Sequence, residues 1–337
     1  MTTLPVSDPG APEETPRRIS RRATGADAVF VQGARAVGAS VLVITGGVGV
    51  FLAAQMVPTF RAYGLDFFTG EKWNPAFDVI GIAGVLVGTI CIALVAISIA
   101  FPLALLTALY ISEYAPARIK GFLVSLVDLM AAVPSIVWGL WGFFLVMPYA
   151  AGFAHFLHKN FGWIPFFDVR DSDPDAPVWQ AGQYTGSAFC AAVAVAMMVL
   201  PMACAVMRQV FSQTPPGERE AALALGATRW GVVTSVVLPF GRGGIIGGTM
   251  LGLGRALGET IAVALIIVPA FEVKWRVLEV GTNSVSALIA VQFGEASPSQ
   301  LSALLAAGFV LFTLTLIVNT LAAVVVNRSR SGADADA

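Results

Sequence analysis

Six long apolar runs constrain the fold of this chain more than any other feature of its sequence. They cover residues 36–57, 80–108, 122–147, 187–210, 243–268 and 301–326. A helix needs about 20 predominantly apolar residues to cross the hydrocarbon core of a bilayer, and each run meets that length. In lipid the backbone must satisfy its own hydrogen bonds. We therefore predict an all-α integral membrane protein with six transmembrane helices.

Composition supports a membrane class. Of 337 residues, 57% are hydrophobic and only 12% are charged, against about 25% charged in soluble domains. Cys91, Cys190 and Cys204 lie inside apolar runs, at spacings that suggest neither a disulfide framework nor a metal site, so we expect packing roles. His155 and His158 lie outside the runs without a companion ligand motif, so we predict no metal site.

The lysines and arginines between the apolar runs or close to their ends predict the orientation. Six spans place both termini on one side of the membrane. On that side we count thirteen: Arg17, Arg18, Arg21, Arg22, Arg35, Arg118, Lys120, Arg208, Arg219, Arg229, Arg242, Arg328 and Arg330. The other side carries six: Arg61, Lys72, Lys159, Arg170, Lys274 and Arg276. Because cytoplasmic loops carry the positive excess, we predict that both termini are cytoplasmic.

The runs also divide the chain into segments. We predict a disordered cytoplasmic tail (1–35), a first transmembrane helix (36–58), an extracytoplasmic loop (59–79), a five-helix core (80–327) with a cytoplasmic loop (211–242), and a second cytoplasmic tail (328–337). Tryptophan and phenylalanine are frequent in the outer segments 59–79 and 148–186. We expect these two segments to be folded, with some of the aromatic rings anchored at the membrane surface.

The cytoplasmic loop carries the start and stop signals of two short helices. Thr214 is a suitable N-cap, and the prolines that follow it are tolerated in a first turn. Gly226 can adopt the left-handed conformation that ends a helix. Thr228 can cap the second helix, and Pro239 would close it before the membrane. We predict a helix–turn–helix on the cytoplasmic surface.

A specific spacing within this loop resembles the EAA loop of ABC importer permeases. The matching residues are Glu220, Ala221, Ala222, Gly226, Leu238 and Pro239, with Val236 where isoleucine is usual. The resemblance implies that the loop docks into a groove on an ATP-binding subunit, with small alanines allowing close approach. The alternative is an interfacial amphipathic helix that only joins two spans.

The ATP-hydrolysing motor of such an importer is expected on another chain. A phosphate-cradling loop needs the pattern Gly-x4-Gly-Lys-Ser/Thr. None of the lysines follows such a pattern: Lys72, Lys120, Lys159 and Lys274. We therefore expect a transport subunit rather than an enzyme, with no catalytic residues or cofactor of its own, and with ATP and Mg bound by a partner ATPase.

A glycine stripe marks the fifth apolar run. Gly244, Gly248 and Gly252 recur at every fourth position, which brings them to one face of a helix and lets another helix approach its backbone closely. We predict that this helix packs at the centre of the bundle or at a dimer interface.

Two charged residues follow the stripe. Arg255 lies twelve residues beyond Gly243, which places it about 18 Å along the helix and near the middle of the membrane. Glu259 would follow one turn later on the same face. An unpaired ionisable group at that depth costs at least about 3 kcal/mol, so it is a functional candidate.

Arginine suits an anion site because its planar guanidinium offers parallel donors to an oxyanion. We hypothesise that Glu259 neutralises Arg255 when the pathway is empty and releases it to a passing anion. The alternative is a buried ion pair that only pins the helices.

Three stretches resemble the phosphate-specific ABC transporter permeases. Residues 252–263, Gly-Leu-Gly-Arg-Ala-Leu-Gly-Glu-Thr-Ile-Ala-Val, are similar to that family's signature, and residues 286–296 and 108–118 favour its PstC type. The similarity covers about residues 60–327. It implies the type I ABC importer permease fold, and roles in phosphate translocation for Arg255 and Glu259.

The resemblance also implies partners and a location. They are a PstA-like permease that forms a heterodimer with this chain, a PstB-like ATPase dimer and a PstS-like phosphate-binding protein, in the bacterial plasma membrane. ATP closure of the motor would push on the loop and switch the bundle between outward and inward openings. Other readings stay open at this point: a molybdate or sulfate permease, a homodimer, a membrane-embedded enzyme, or a passive channel.

Overall fold

The computed structural model describes residues 25–77, 79–176 and 179–330, without the side chains of residues 26, 76 and 327–330. Nearly all of its regular structure is helical. The helices are α1 (Ala26–Tyr63), α2 (Asp66–Thr69), α3 (Ala83–Leu109), α4 (Ala117–Ala132), α5 (Ser135–Trp141), α6 (Met147–Phe161), α7 (Ala188–Ser212), α8 (Pro216–Ala224), α9 (Arg229–Val232), α10 (Leu238–Leu257), α11 (Ile261–Ile266), α12 (Val285–Gln292) and α13 (Pro298–Arg330). The strands β1 (Trp73–Asn74) and β2 (Val79–Ile80) pair antiparallel, with Trp73 opposite Ile80.

Six helical segments of the described chain are long and apolar enough to cross a membrane, which confirms the predicted number. They are Asp27–Tyr63, Ala83–Tyr114, Ser135–Phe161, Ala188–Ser212, Arg229–Leu257 and Pro298–Val326. Three of them continue through a π-helical turn, at Tyr110–Tyr114, Gly142–Val146 and Val233–Val237.

The predicted bounds of the third span are wrong. Residues 122–147 do not form one helix, since α4 ends at Ala132, Val133 is extended and α5 begins at Ser135. The cause is Pro134, because a proline disfavours the helical conformation in the residue before it. The third span instead runs from Ser135 to Phe161.

The fifth span also differs from its predicted bounds of 243–268. The second loop helix, α9, continues through the π-helical turn into α10, so the helical segment that contains the span runs from Arg229 to Leu257. Pro239 therefore does not close a helix. It lies in the first turn of α10, where a proline's missing N–H is tolerated.

The predicted tails are only partly described. α1 begins at Ala26, so residues 26–35 are helical and the prediction of disorder is wrong for them. Residues 1–24 and 331–337 lie outside the described residues. The predictions for those two ranges remain predictions.

The described part of the chain divides between Val50 and Phe51 into two units. In the second unit, α3 and α10 both pack on α7, and α13 packs on α10. α7 forms the centre of that unit because small side chains such as Ala191 and Ala203 are fully buried along it. Close approach through small residues is the usual basis of helix packing in membranes. The three cysteines are buried, as expected for packing residues: Cys91, Cys190 and Cys204.

The outer segments are folded, as the sequence predicts. Phe67 and Trp73 are buried in one cluster with Leu288 and Leu304. Backbone hydrogen bonds join the second outer segment to the loop after α11, including Val268 N to Gly186 O at 3.1 Å.

The two histidines belong to this outer packing. His155 stacks on Trp179 with ring centroids 4.6 Å apart. His158 is hydrogen-bonded through Nδ1 to the Tyr184 hydroxyl at 2.9 Å.

Candidate functional site

The cytoplasmic loop forms the predicted pair of short helices, α8 and α9. Gly226 has φ of +86° and Thr228 Oγ1 accepts a hydrogen bond from Gly231 N at 3.1 Å, which confirms both predictions. The predicted N-cap at Thr214 is wrong, because Pro215 occupies that position and Thr214 is buried. Prolines at the first helical positions set the helical φ without a side-chain cap.

The surface of this loop is exposed and partly apolar. α8 has no buried side chain, and Glu220, Ala221 and Gly226 are all exposed. Leu225 is 89% exposed and Trp230 is 58% exposed. Leu223 is also 52% exposed, and several large exposed apolar side chains in one short segment are typical of a protein interaction site.

The remaining residues of the predicted coupling set lie differently. Ala222 and Leu238 pack against the buried cluster at the C-terminal end of α7. Pro239 is exposed at the start of α10. The set therefore divides into surface residues and residues that hold the loop on the bundle.

An ion pair attaches the loop to the bundle. A guanidinium nitrogen of Arg219 lies 3.0 Å from Glu113 Oε1, and the same nitrogen donates to Phe211 O at 2.7 Å. Ser112 Oγ also donates to Glu113 Oε1, at 2.6 Å. Arg219 thus joins α8 to the π-helical end of α3 and to the end of α7. Sequence reasoning missed Arg219 and Glu113, although Glu113 lies within a stretch that carried the family resemblance and Arg219 directly precedes the loop motif.

The glycine stripe of α10 faces α7. Gly244, Gly248 and Gly252 are buried. A Cβ added at Gly244 would lie 2.5 Å from the Val210 side chain, and one at Gly252 would lie 2.6 Å from Val199. The two helices therefore pack at a distance that a larger side chain at these positions would prevent.

Arg255 and Glu259 do not share a helix face. α10 ends at Leu257 with Gly258 as its C-cap, and α11 begins only at Ile261. Arg255 is exposed, whereas Glu259 is 7% exposed. Among the described residues neither forms an ion pair. The expectation of one continuous helix face is wrong because the chain leaves the helix at Gly258.

Glu259 is instead bound into a helix break. Its Oε1 accepts a hydrogen bond from Ala262 N at 3.4 Å, and its backbone carbonyl accepts one from Ser286 Oγ at 2.6 Å. Two short helices, α11 and α12, thus begin near this carboxylate. Broken helices at membrane depth occur where the backbone is buried in protein or lines a water-filled cavity.

The sequence is similar to named permeases. Residues 100–331 match the family described as binding-protein-dependent transport system inner membrane component. A phosphate transport system permease protein PstC 2 of Mycobacterium tuberculosis is 36% identical over 328 residues, which is 96% of this chain and 97% of the relative. PstC of Mycobacterium leprae is 39% identical over 277 residues, 81% of this chain and 84% of the relative. Probable PstC of Methanocaldococcus jannaschii is 36% identical over 80% of this chain and 84% of the relative.

Two solved structures share the fold at low sequence identity. A bacterial ABC transporter involved in the import of the acidic polysaccharide alginate aligns with a TM-score of 0.53 at 16% identity, over 89% of this chain and 98% of that chain. An inward-facing MetNI methionine ABC transporter aligns with a TM-score of 0.52 at 15% identity, over 77% and 99%. The fold is that of the type I ABC importer permeases. The chain belongs to the PstC family of phosphate transport system permease proteins.

Proposed function

We propose that this chain is the membrane-spanning subunit of an ATP-driven importer that carries inorganic phosphate into the cytoplasm. The observation that carries the proposal is the 36% identity to a phosphate transport system permease over 96% of the chain. Arg255 adds chemical support, since an exposed arginine in a membrane-spanning segment offers the charge that a phosphate anion needs. The chain's own part is transport, and ATP hydrolysis occurs on a separate ATPase dimer of the PstB kind.

Coupling in this proposal runs through the cytoplasmic loop. The exposed surface around Glu220, Leu225 and Trp230 docks on the ATPase. Movement of α8 then reaches α3 and α7 through Arg219, which contacts Glu113 and the Phe211 carbonyl. The bundle alternates between outward and inward openings, and Arg255 is the anion's contact within the path.

The proposed assembly contains three further kinds of chain. A PstA-like permease completes the membrane dimer, and a PstS-like binding protein delivers phosphate from outside. The complex resides in the bacterial plasma membrane with both termini of this chain in the cytoplasm. Two facing permeases would give the path positive charge from both sides, which favours a multiply charged anion.

The test is ATP-driven uptake by proteoliposomes that contain this chain with its candidate sister permease, ATPase and binding protein. We expect uptake of radiolabelled phosphate that excess unlabelled phosphate suppresses and that equal sulfate or molybdate does not. Suppression by sulfate or molybdate, or uptake of one of these anions in place of phosphate, would assign the chain to another oxyanion.

A further inference from the structure

An asparagine on the neighbouring membrane helix lies against the residue that precedes Arg255. Asn319 belongs to α13, and its amide covers the backbone of Gly254. A Cβ added at Gly254 would lie 3.1 Å from Asn319 Oδ1 and 3.8 Å from Nδ2. The glycine therefore leaves room for the amide, and the next residue along α10 is Arg255.

A second contact fixes the register of these helices. A Cβ at Gly247 would lie 3.9 Å from a methyl group of Val326. From Gly247 to Gly254 the chain advances seven residues, and from Val326 to Asn319 it goes back seven. The helices α10 and α13 are therefore antiparallel here, and two helical turns of about 10 Å separate the two contacts.

This register places Asn319 at the depth of Arg255. Arg242 precedes Arg255 by thirteen residues on the first helix, which corresponds to about 20 Å at 1.5 Å per residue. Arg328 follows Asn319 by nine residues on the second, or about 14 Å. Both distances fall well inside a hydrocarbon core about 30 Å thick.

The two polar side chains share an unusual environment. The side chains of Asn319 and Arg255 are both exposed on the surface of this subunit. Neither side chain has a hydrogen-bond or ion-pair partner among residues 25–77, 79–176 and 179–330. A polar group that faced hydrocarbon without a partner would be costly, so such groups face water or another protein chain. The exposed amide and guanidinium therefore lie at a similar depth on the adjacent membrane helices α13 and α10.

We propose that Asn319 is a second anion contact of the translocation path and binds the oxyanion together with Arg255. This inference rests on the proposed function for the identity of the anion. The amide has two N–H donors and one carbonyl acceptor, whereas guanidinium has donors only. Phosphate near neutral pH carries both bare oxygens and a P–OH group, so the amide offers it a complementary partner for each. Gly254 serves this site by leaving the space that the amide occupies.

The experiment uses the reconstituted four-component importer with Asn319→Leu, which keeps the approximate size and removes both hydrogen-bonding functions. We expect phosphate moved per ATP hydrolysed to fall about tenfold, the scale of one lost hydrogen bond to a charged group. Asn319→Asp should transport still less, because its carboxylate repels the anion and competes for Arg255. Thr320→Val is the matched control, since the Thr320 hydroxyl is also exposed but donates to Leu316 O on its own helix.

A second variant reaches the amide indirectly. Gly254→Ala should displace Asn319 by a few tenths of an ångström and lower phosphate uptake less than Asn319→Leu does. Gly247→Ala, two turns away in the same helix contact, should leave uptake unchanged.

Three results would overturn the inference. They are native transport by Asn319→Leu, equal transport by the Leu and Asp variants, and a loss of uptake that matches a loss of assembled complex, which indicates a subunit-contact role alone. Failure of the native complex to carry phosphate would instead overturn the proposed function. The same variants are then measured with the oxyanion that the native complex does carry.

Discussion

At Gly226 the backbone conformation requires glycine, and crowding plays no part. Its φ is +86° and a Cβ there would meet no atom within 4 Å. A side chain in the left-handed region costs roughly 1–2 kcal/mol. Gly217 also has free space around it, without a positive φ, so the two positions differ in conformation alone.

We therefore expect Gly226→Ala to loosen the loop, whereas Gly217→Ala should not. The backbone amides of residues 216–232 should exchange with deuterium about fivefold faster in the first variant, since local opening becomes easier by about 1 kcal/mol. Equal exchange in the two variants would show that the left-handed turn does not hold the loop.

Local residue signals account for what the sequence predicted correctly and for one of its errors. Gly226 and Thr228 act within one turn of the chain, so their roles follow from neighbouring residues. Pro134 is an equally local signal, but averaging hydropathy over a long apolar run concealed the break that it causes. The contact between Arg219 and Glu113 joins distant parts of the chain and depends on the packing of α3 and α7, which no local pattern specifies.

Among the contacts between helices, the one between α7 and α10 depends on the absence of side chains at the glycine stripe of α10. Gly244→Ala would bring a Cβ to within 2.5 Å of Val210, and such overpacking costs about 1–3 kcal/mol. Gly247→Ala on the same helix meets only a methyl group of Val326 at 3.9 Å, so it should be tolerated.

The measurement is thermal melting of the purified chain in detergent. We expect Gly244→Ala to lower the melting temperature by several degrees and Gly247→Ala to leave it equal or higher, because alanine favours a helix more than glycine does. If Gly244→Ala melted at the native temperature, the close packing of the two helices would not contribute to stability.

The ion pair between Arg219 of α8 and Glu113 at the π-helical end of α3 is a second contact between helices. Side chains of Arg219 and Glu113 are 27% and 12% exposed, so little water is available to replace the bond. We expect Glu113→Gln and Arg219→Gln each to lower phosphate moved per ATP hydrolysed several-fold, and the charge-swapped double variant to recover part of it.

The control for this prediction is the pair between Arg208 and Asp128, whose carboxylate is 55% exposed. Exposed pairs contribute about 0–1 kcal/mol, so Asp128→Asn should have little effect. If Glu113→Gln and Arg219→Gln both moved as much phosphate per ATP hydrolysed as the native chain, this ion pair would not transmit movement from the loop to the bundle.

The predicted orientation of the whole molecule in the membrane can be tested by labelling cysteines introduced at exposed positions. All three native cysteines are buried, so they should react little with a membrane-impermeant maleimide. Asp173→Cys lies in the outer segment and Gly217→Cys in the cytoplasmic loop, and both positions are exposed. We expect labelling of the first in intact cells and of the second only after the membrane is opened. If only the cysteine at position 217 were labelled in intact cells, the chain would have the opposite orientation.

The sequence was sufficient for the number of spans, the two short helices of the cytoplasmic loop and the family, because each depends on composition, on local turn signals or on a long motif. It was insufficient for the geometry around Arg255. A continuous helix would have brought Arg255 and Glu259 to one face, but the chain breaks at Gly258 and buries Glu259 while Arg255 stays exposed. The roles of these two residues in translocation remain proposals.

The most direct measurement is ATP-driven phosphate uptake by the reconstituted importer with native Arg255 and with Arg255→Gln. Complex assembly and ATP hydrolysis are measured on the same preparations. We predict that the native complex takes up phosphate and that the variant loses this uptake while it still assembles and hydrolyses ATP. Uptake at the native rate by the Arg255→Gln complex would show that phosphate does not depend on this arginine on its way through the chain.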